Sequence, residues 1–282
     1  MPILKPVLFL AFVIACDGSQ GELLDGGGPD APSPSDAGAD VAAADSGDAG
    51  DAGPARGPAR VYVGSSDGDI RVFAFDETSY ALTPVDTTAT GGNPSFLAFD
   101  AARAFLYAAN EASSQVAAFA IDPKTGKLAS LGAVSSVGQG PAYVGLDGAS
   151  ALVMAANYGD GTIAVFPRAQ DGTLQAASAT HSFGATAHSH AIVSDPSNAF
   201  VLVPNLGLDG VGVFRRNGSA LQYLGLTPAG NGPRHVAFDP PGTHAYVIDE
   251  TASTIVAFDF DPQTGALTQI QSLSSLYAPF GG

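Results

Sequence analysis

Residues 233–273 read PRHVAFDPPGTHAYVIDETASTIVAFDFDPQTGALTQIQSL. Four runs of β-type sequence stand out: HVAFD at 235–239, HAYVID at 244–249, TIVAFDF at 254–260 and ALTQIQSL at 266–273. The joints Asp239-Pro-Pro-Gly242 and Asp261-Pro-Gln-Thr-Gly265 are turn chemistry, because Asp, Pro and Gly each favour a reversing backbone. No 3.6-residue periodicity runs through the stretch, which excludes a helical solenoid unit. It predicts one four-stranded antiparallel sheet.

The same unit recurs upstream. Tyr246-Val-Ile-Asp249 leads to Phe258 over a gap of 12; Leu202-Val-Pro-Asn205 to Phe214, Met154-Ala-Ala-Asn157 to Phe166 and Tyr107-Ala-Ala-Asn110 to Phe119 keep that gap. A fifth copy, Tyr62-Val-Gly-Ser65 to Phe73, has a gap of 11. The period from the second copy onward is 47, 48 and 44 residues. Sheets of this size repeated in tandem predict an all-β β-propeller, whose blades stack around a channel to hide faces and edges. Five copies use up residues 59–282, and the chain has no Trp and hence no WD signature.

Composition agrees. Lys and Arg number 11 against 27 Asp and Glu, a formal charge of −16, which argues against a phosphate-backbone partner. Gly 35 and Pro 20 favour short strands and turns. One Cys allows no intrachain disulfide and no Cys-rich zinc site. Neither a P-loop nor a dinucleotide fingerprint occurs, so no cofactor is expected.

The start of the chain reads differently. Residues 1–16, MPILKPVLFLAFVIAC, have Lys5 and then an apolar core of signal-peptide length, too short to span a bilayer. The ending Val13-Ile14-Ala15-Cys16 resembles a bacterial lipobox and holds the chain's one Cys, so Cys16 is the expected lipidation site of an exported, membrane-anchored lipoprotein. Residues 17–58 carry nine acidic groups, one Arg and no aromatics, the composition of a disordered tether. The expected organisation is leader 1–16, tether 17–58 and propeller 59–282.

The repeat also exposes its own exceptions. Each inner strand ends in Asp: Asp100, Asp147, Asp195 and Asp239. Five residues earlier stand Ser95, Ala142, His190 and Arg234. A scaffold satisfied by Ser and Ala has no structural need of His and Arg at that place. After the repeated Asn or Asp of the second strand come Glu111, Tyr158, Leu206 and Glu250. The start of an inner strand and the end of its second strand share one face of the disc, so His190, Arg234 and Glu250 are expected at one channel mouth. An imidazole or carboxylate there can activate water, and a cation can hold an oxyanion or an anionic substrate. The alternative is an inter-strand Arg234–Glu250 ion pair beside a packed histidine.

Other motifs carry less. Gly64-Ser-Ser-Asp-Gly68 matches a nucleophile-elbow pattern but is flanked by two strands, and so reads as a hairpin turn. His188 and His190 are two apart, one face of an extended chain, yet no second pair or carboxylate cluster at metal spacing accompanies them, and no metal is expected. His235 follows Arg234, so pleat alternation points it the other way, into the packing between blades. His181 and His244 read as surface strand residues.

The runs GQGPAYVGLDGASALVMAANYGDGTIAVF (138–166), AHSHAIVSDPSNAFVLVPNLGLDGVGVF (187–214) and GNGPRHVAFDPPGTHAYVIDETASTIVAF (230–258) resemble the seven-bladed propeller lactonases, which include 6-phosphogluconolactonases of propeller type and muconate-lactone enzymes. The resemblance covers about 60–282. It implies a seven-bladed ring, of which five blades are accounted for, and hydrolysis of a small-molecule lactone. It places the family's channel-mouth His, Arg and Glu on His190, Arg234 and Glu250. Two departures stand out: Asp249 replaces the usual Asn, and the family's further channel Arg, from a later blade, has no counterpart. Export away from a cytoplasmic sugar-phosphate lactone implies another natural substrate. A non-catalytic surface propeller that binds a ligand or protein is the competing reading.

Overall fold

The computed structural model describes Phe12–Ala15 and residues 59–76 and 78–276. The expected tether, 17–58, and Cys16 lie outside these residues. Among the described residues, twenty strands form five four-stranded antiparallel sheets. The first sheet is β1 (Phe12–Ala15), β2 (Arg60–Gly64), β3 (Asp69–Phe75) and β4 (Leu82–Ala89). The second is β5 (Pro94–Phe99), β6 (Phe105–Asn110), β7 (Gln115–Ile121) and β8 (Leu128–Ser135). The third is β9 (Pro141–Leu146), β10 (Leu152–Asn157), β11 (Thr162–Pro167) and β12 (Ala179–Ser182). The fourth is β13 (Val193–Ser194), β14 (Phe200–Asn205), β15 (Gly210–Asn217) and β16 (Ala220–Pro228). The fifth is β17 (Pro233–Phe238), β18 (His244–Asp249), β19 (Thr254–Phe260) and β20 (Leu267–Ser274). Gly64 to Gly68 is the hairpin turn between β2 and β3, closed by the Gly68 N–H on the Ser65 carbonyl.

These sheets are the blades of an incomplete β-propeller. Alternation along each second strand does the packing. In β6, Leu106 and Ala108 face back to Tyr62 and Val72 of the first blade, while Tyr107 and Ala109 face forward to Val144 and Val153 of the third. The repeated Phe of the third strand always packs backward: Phe119, Phe166, Phe214 and Phe258 all join the cluster shared with the preceding blade and are at most 1% exposed. Burial of such side chains drives the stacking, at about 25 cal/mol per Å² of apolar area. The tyrosines add a polar lock. Tyr62 Oη donates to the Gly126 carbonyl at 2.7 Å and Tyr107 Oη to the Gly172 carbonyl at 3.0 Å, each reaching a turn of the next blade.

The Asp at each inner-strand end clips the following turn. Asp147 Oδ1 accepts from the N–H groups of Ala151 and Leu152, and Asp100, Asp195 and Asp239 act likewise on their own turns. Asp147 also binds Arg216 of the next blade at 2.8 Å, with both side chains largely buried.

Two features depart from expectation. Phe12–Ala15, within the expected leader, pairs antiparallel with β2 and takes the inner-strand place of the first blade. And the inner strands are bulged near their start: pairing shifts by one residue between Pro94 and Phe96, and between Pro233 and His235. Pairing of Asn157 with Pro141 and of Ala156 with Tyr143 marks the same shift in the third blade.

Candidate active site

Ser95, Ala142 and Arg234 are the extra residues of these bulges. A bulge sets two residues against one on the partner strand, which interrupts the pleat alternation. His235 is therefore not turned away from Arg234 into the blade interface, as alternation predicts. Its ring lies in the channel, 5.2 Å from that of His190, 5.9 Å from Phe96 and 5.8 Å from Tyr143 between centroids. Rings from the inner segments of the second to fifth blades thus converge on the axis. Phe96 and Tyr143 lie 4.2 Å apart.

Pro233 pairs with Asp249, so the start of β17 and the end of β18 share a face. There Arg234 Nη1 meets Glu250 Oε2 at 2.8 Å. His190 comes from the loop before β13, where the Ser189–Asn205 bridge and the His190 N–H on the Pro204 carbonyl hold it against β14. His190 is 9% exposed, and its Nδ1 is buried without a hydrogen-bond partner. Burial, with the Arg234 charge and His235 next, pushes the His190 imidazole down to about 3. Burial and Arg234 push His235 down to about 4, against a smaller opposing pull from Glu250. Both rings are neutral at pH 7. The three residues singled out by the repeat are thus brought to one mouth.

The sequence reading missed the second imidazole, because the bulge is a backbone property. The Pro that opens β5, β9 and β17 was its available trace, since Pro cannot donate to a regular ladder. It also missed how His188 sits. His188 adopts φ 50°, so the chain is not extended there and His188 and His190 do not share a simple face. Instead both flank Tyr158. His188 stacks on it at 4.5 Å, with Nδ1 donating to the Tyr158 carbonyl at 3.0 Å, while His190 meets it edge-on at 5.6 Å. His181 belongs to a peripheral ring cluster with Phe183, Phe214 and Tyr223. His244 bonds Asp239 at 2.9 Å on the opposite end of the fifth blade.

Blades of this kind around a ring-lined mouth define a β-propeller with a polar site on its axis. Residues 60–282 match the model of the lactonase, seven-bladed β-propeller family, and the chain belongs to that family. It is similar to the 6-phosphogluconolactonase of Bacillus subtilis, with 31% identity over 226 residues, covering 76% of this chain and 64% of that protein. Among solved structures it resembles a Pseudomonas aeruginosa periplasmic gluconolactonase, at 27% identity and TM-score 0.70, covering 79% of this chain and 70% of that one. It also resembles a protein from Lactobacillus plantarum, at 31% identity and TM-score 0.67, over 75% of this chain and 64% of that one. The chain thus spans under two thirds of the length of the Bacillus and Lactobacillus relatives.

Proposed function

We propose that this protein hydrolyses a lactone at the mouth formed by His190, Arg234 and Glu250. The observation that carries the reading is the convergence of these three on one face, with His190 and Arg234 at a position where other blades hold Ser and Ala. Family membership and relatives named for lactone hydrolysis support it.

The chemistry divides as follows. A water attacks the lactone carbonyl carbon and loses its proton to the Glu250 carboxylate. His190, with its imidazole held down to about 3, is a weak base at neutral pH. The Arg234 guanidinium stabilises the tetrahedral oxyanion. The acyl carbon–oxygen bond then breaks, and the ring oxygen leaves as a hydroxyl with the proton returned by Glu250. His190 binds substrate as a neutral hydrogen-bonding group.

Arg234 and Glu250 satisfy each other, which also fits a non-catalytic binding propeller. Acid release from a panel of lactones separates the two. Turnover that fails in Arg234→Ala establishes the hydrolase, and binding without turnover establishes the scaffold. For location, the lipobox-like Val13–Cys16 run supports export and anchoring through Cys16, with 17–58 as tether.

A further inference from the structure

Arg234 and Glu250 hold each other in place, but His190 has no such partner. No other described residue is hydrogen-bonded to its ring, and its Nδ1 is buried. An imidazole that must meet a substrate in one orientation commonly has that orientation set by a hydrogen bond at its other nitrogen. Here rings supply the constraint. His190 meets Tyr158 at 5.6 Å with planes 77° apart, and His235 at 5.2 Å with planes 45° apart.

Tyr158 is itself fixed by His188. The two rings stack, 4.5 Å between centroids and 25° between planes, and His188 Nδ1 donates to the Tyr158 carbonyl at 3.0 Å. That bond selects the His188 tautomer, since a carbonyl accepts only from a protonated nitrogen. The segment carrying both histidines is pinned in turn. The Leu206 and Gly207 N–H groups donate to the His188 and Ala187 carbonyls at 3.3 and 2.9 Å, and the Ser189 hydroxyl donates to Asn205 Oδ1 at 2.6 Å. Gly207 permits this approach, because a Cβ there would fall 1.9 Å from the Thr186 carbonyl oxygen.

The backbone at His188 has φ 50°, a left-handed conformation uncommon outside Gly, in which His and Asn are enriched. Such a residue breaks the alternation of an extended chain. One imidazole can then cover the face of Tyr158 while the other meets the same ring at a steep angle. Backbone of this kind persists where its surroundings over-determine it, and it clusters at functional sites. The blade itself does not call for a ring at this place, which holds Glu111, Leu206 and Glu250 in other copies.

Resting on the lactone-hydrolase reading above, we propose that His188 and Tyr158 are positioning residues: the stacked pair, joining the third and fourth blades, fixes the orientation in which His190 meets the substrate.

The test is a double-mutant cycle on the full chain, read as kcat/KM for D-glucono-1,5-lactone with acid release corrected for spontaneous opening. Tyr158→Leu, a side chain the fold accepts at the matching Leu206, should lower kcat/KM at least about fivefold in the wild-type background. In His190→Ala it should cost less than about twofold, because a positioning residue has nothing to position once the imidazole is gone. His188→Leu should follow the same pattern. His188→Asn should recover most of the loss, since Asn tolerates positive φ and its amide N–H can stand in for Nδ1–H. Without any substrate, 13Cε1-histidine NMR follows the His190 signal, assigned by its loss in His190→Ala. Burial, Arg234 and His235 keep that ring neutral in the wild type. With the Tyr158 wall removed it should begin to titrate between pH 7 and 5. Equal losses in both backgrounds, or a His190 titration that Tyr158→Leu leaves untouched, overturn the positioning role and leave the hydrolase reading intact. Failure of the wild type on this lactone counts against the hydrolase reading, and the NMR titration then decides by itself whether the pair holds His190.

Discussion

Arg234 Nη1 and Glu250 Oε2 stand 2.8 Å apart at the mouth of the channel on neighbouring strands of the fifth blade, one from the bulge of β17, the other from the first position after β18. Their side chains are 32% and 48% exposed, so the pair contributes little to folding, on the order of 1 kcal/mol or less. Activity and stability should therefore separate. Arg234→Ala and Glu250→Gln are expected to lower lactone-dependent acid release at least about tenfold while thermal unfolding barely moves. Equal losses in both measurements would reduce the pair to a structural strut.

The two buried imidazoles make stability depend on pH. Unfolded, each titrates near its ordinary value of about 6.5; folded, they stay neutral down to about 3 and 4. Below pH 6.5 the unfolded chain binds more protons, so stability falls as pH falls through that window. His190→Gln should flatten the decline between pH 6.5 and 4 in urea unfolding. An unchanged slope would show that His190 is not the group responsible.

Asp249 occupies a place that holds Asn in three other blades. Asn110 Nδ2 donates to the Thr90 carbonyl at 2.8 Å, and Asn157 Nδ2 to Ser136 at 3.1 Å, tying each blade to the preceding outer strand. Asp249 cannot donate when ionised. It is buried, its Oδ1 lacks a partner, and burial raises its pKa. A raised carboxyl pKa means stability lost as pH rises above the unfolded value near 3.9. Asp249→Asn is expected to stabilise by about 1 kcal/mol at neutral pH, more at pH 7 than at pH 3. Unfolding curves at the two pH values check it.

The forward face of the fifth blade has no covering sheet among the described residues. Ile248, Ile255 and Leu273 form a cross-strand row, 42%, 41% and 56% exposed. Tyr246 is 43% exposed in the register where Tyr62 and Tyr107 bond the next blade's turn. In a polypeptide of these 282 residues alone, an apolar sheet face of this kind favours self-association. Ile255→Lys with Leu273→Lys should lower the apparent mass in light scattering without shifting the unfolding midpoint appreciably.

Anchoring is tested at Cys16. Palmitate labelling is expected in the wild type and lost in Cys16→Ala, with the variant unprocessed. Intact mass then reports whether Phe12–Ala15, the inner strand β1, remains in the mature protein. Unaltered membrane attachment in the variant would remove the lipid anchor.

The linear sequence by itself determined the blade. The invariant spacing from Tyr107 to Phe119, repeated to Phe166, Phe214 and Phe258, follows from the fixed length of a hairpin and the two-residue pleat, both local properties. It also marked His190 and Arg234, since a repeat makes its own exceptions visible, and Glu250 through the face it shares with Arg234. Tertiary structure alone decided which rings meet on the axis. His235 faces Phe96 three blades away because a bulge overrides alternation and because the blades curve around a centre, and neither leaves a spacing in the sequence. The neutrality of His190 was likewise decided by packing: burial, the Arg234 charge and a second imidazole act together only once three blades are assembled around it.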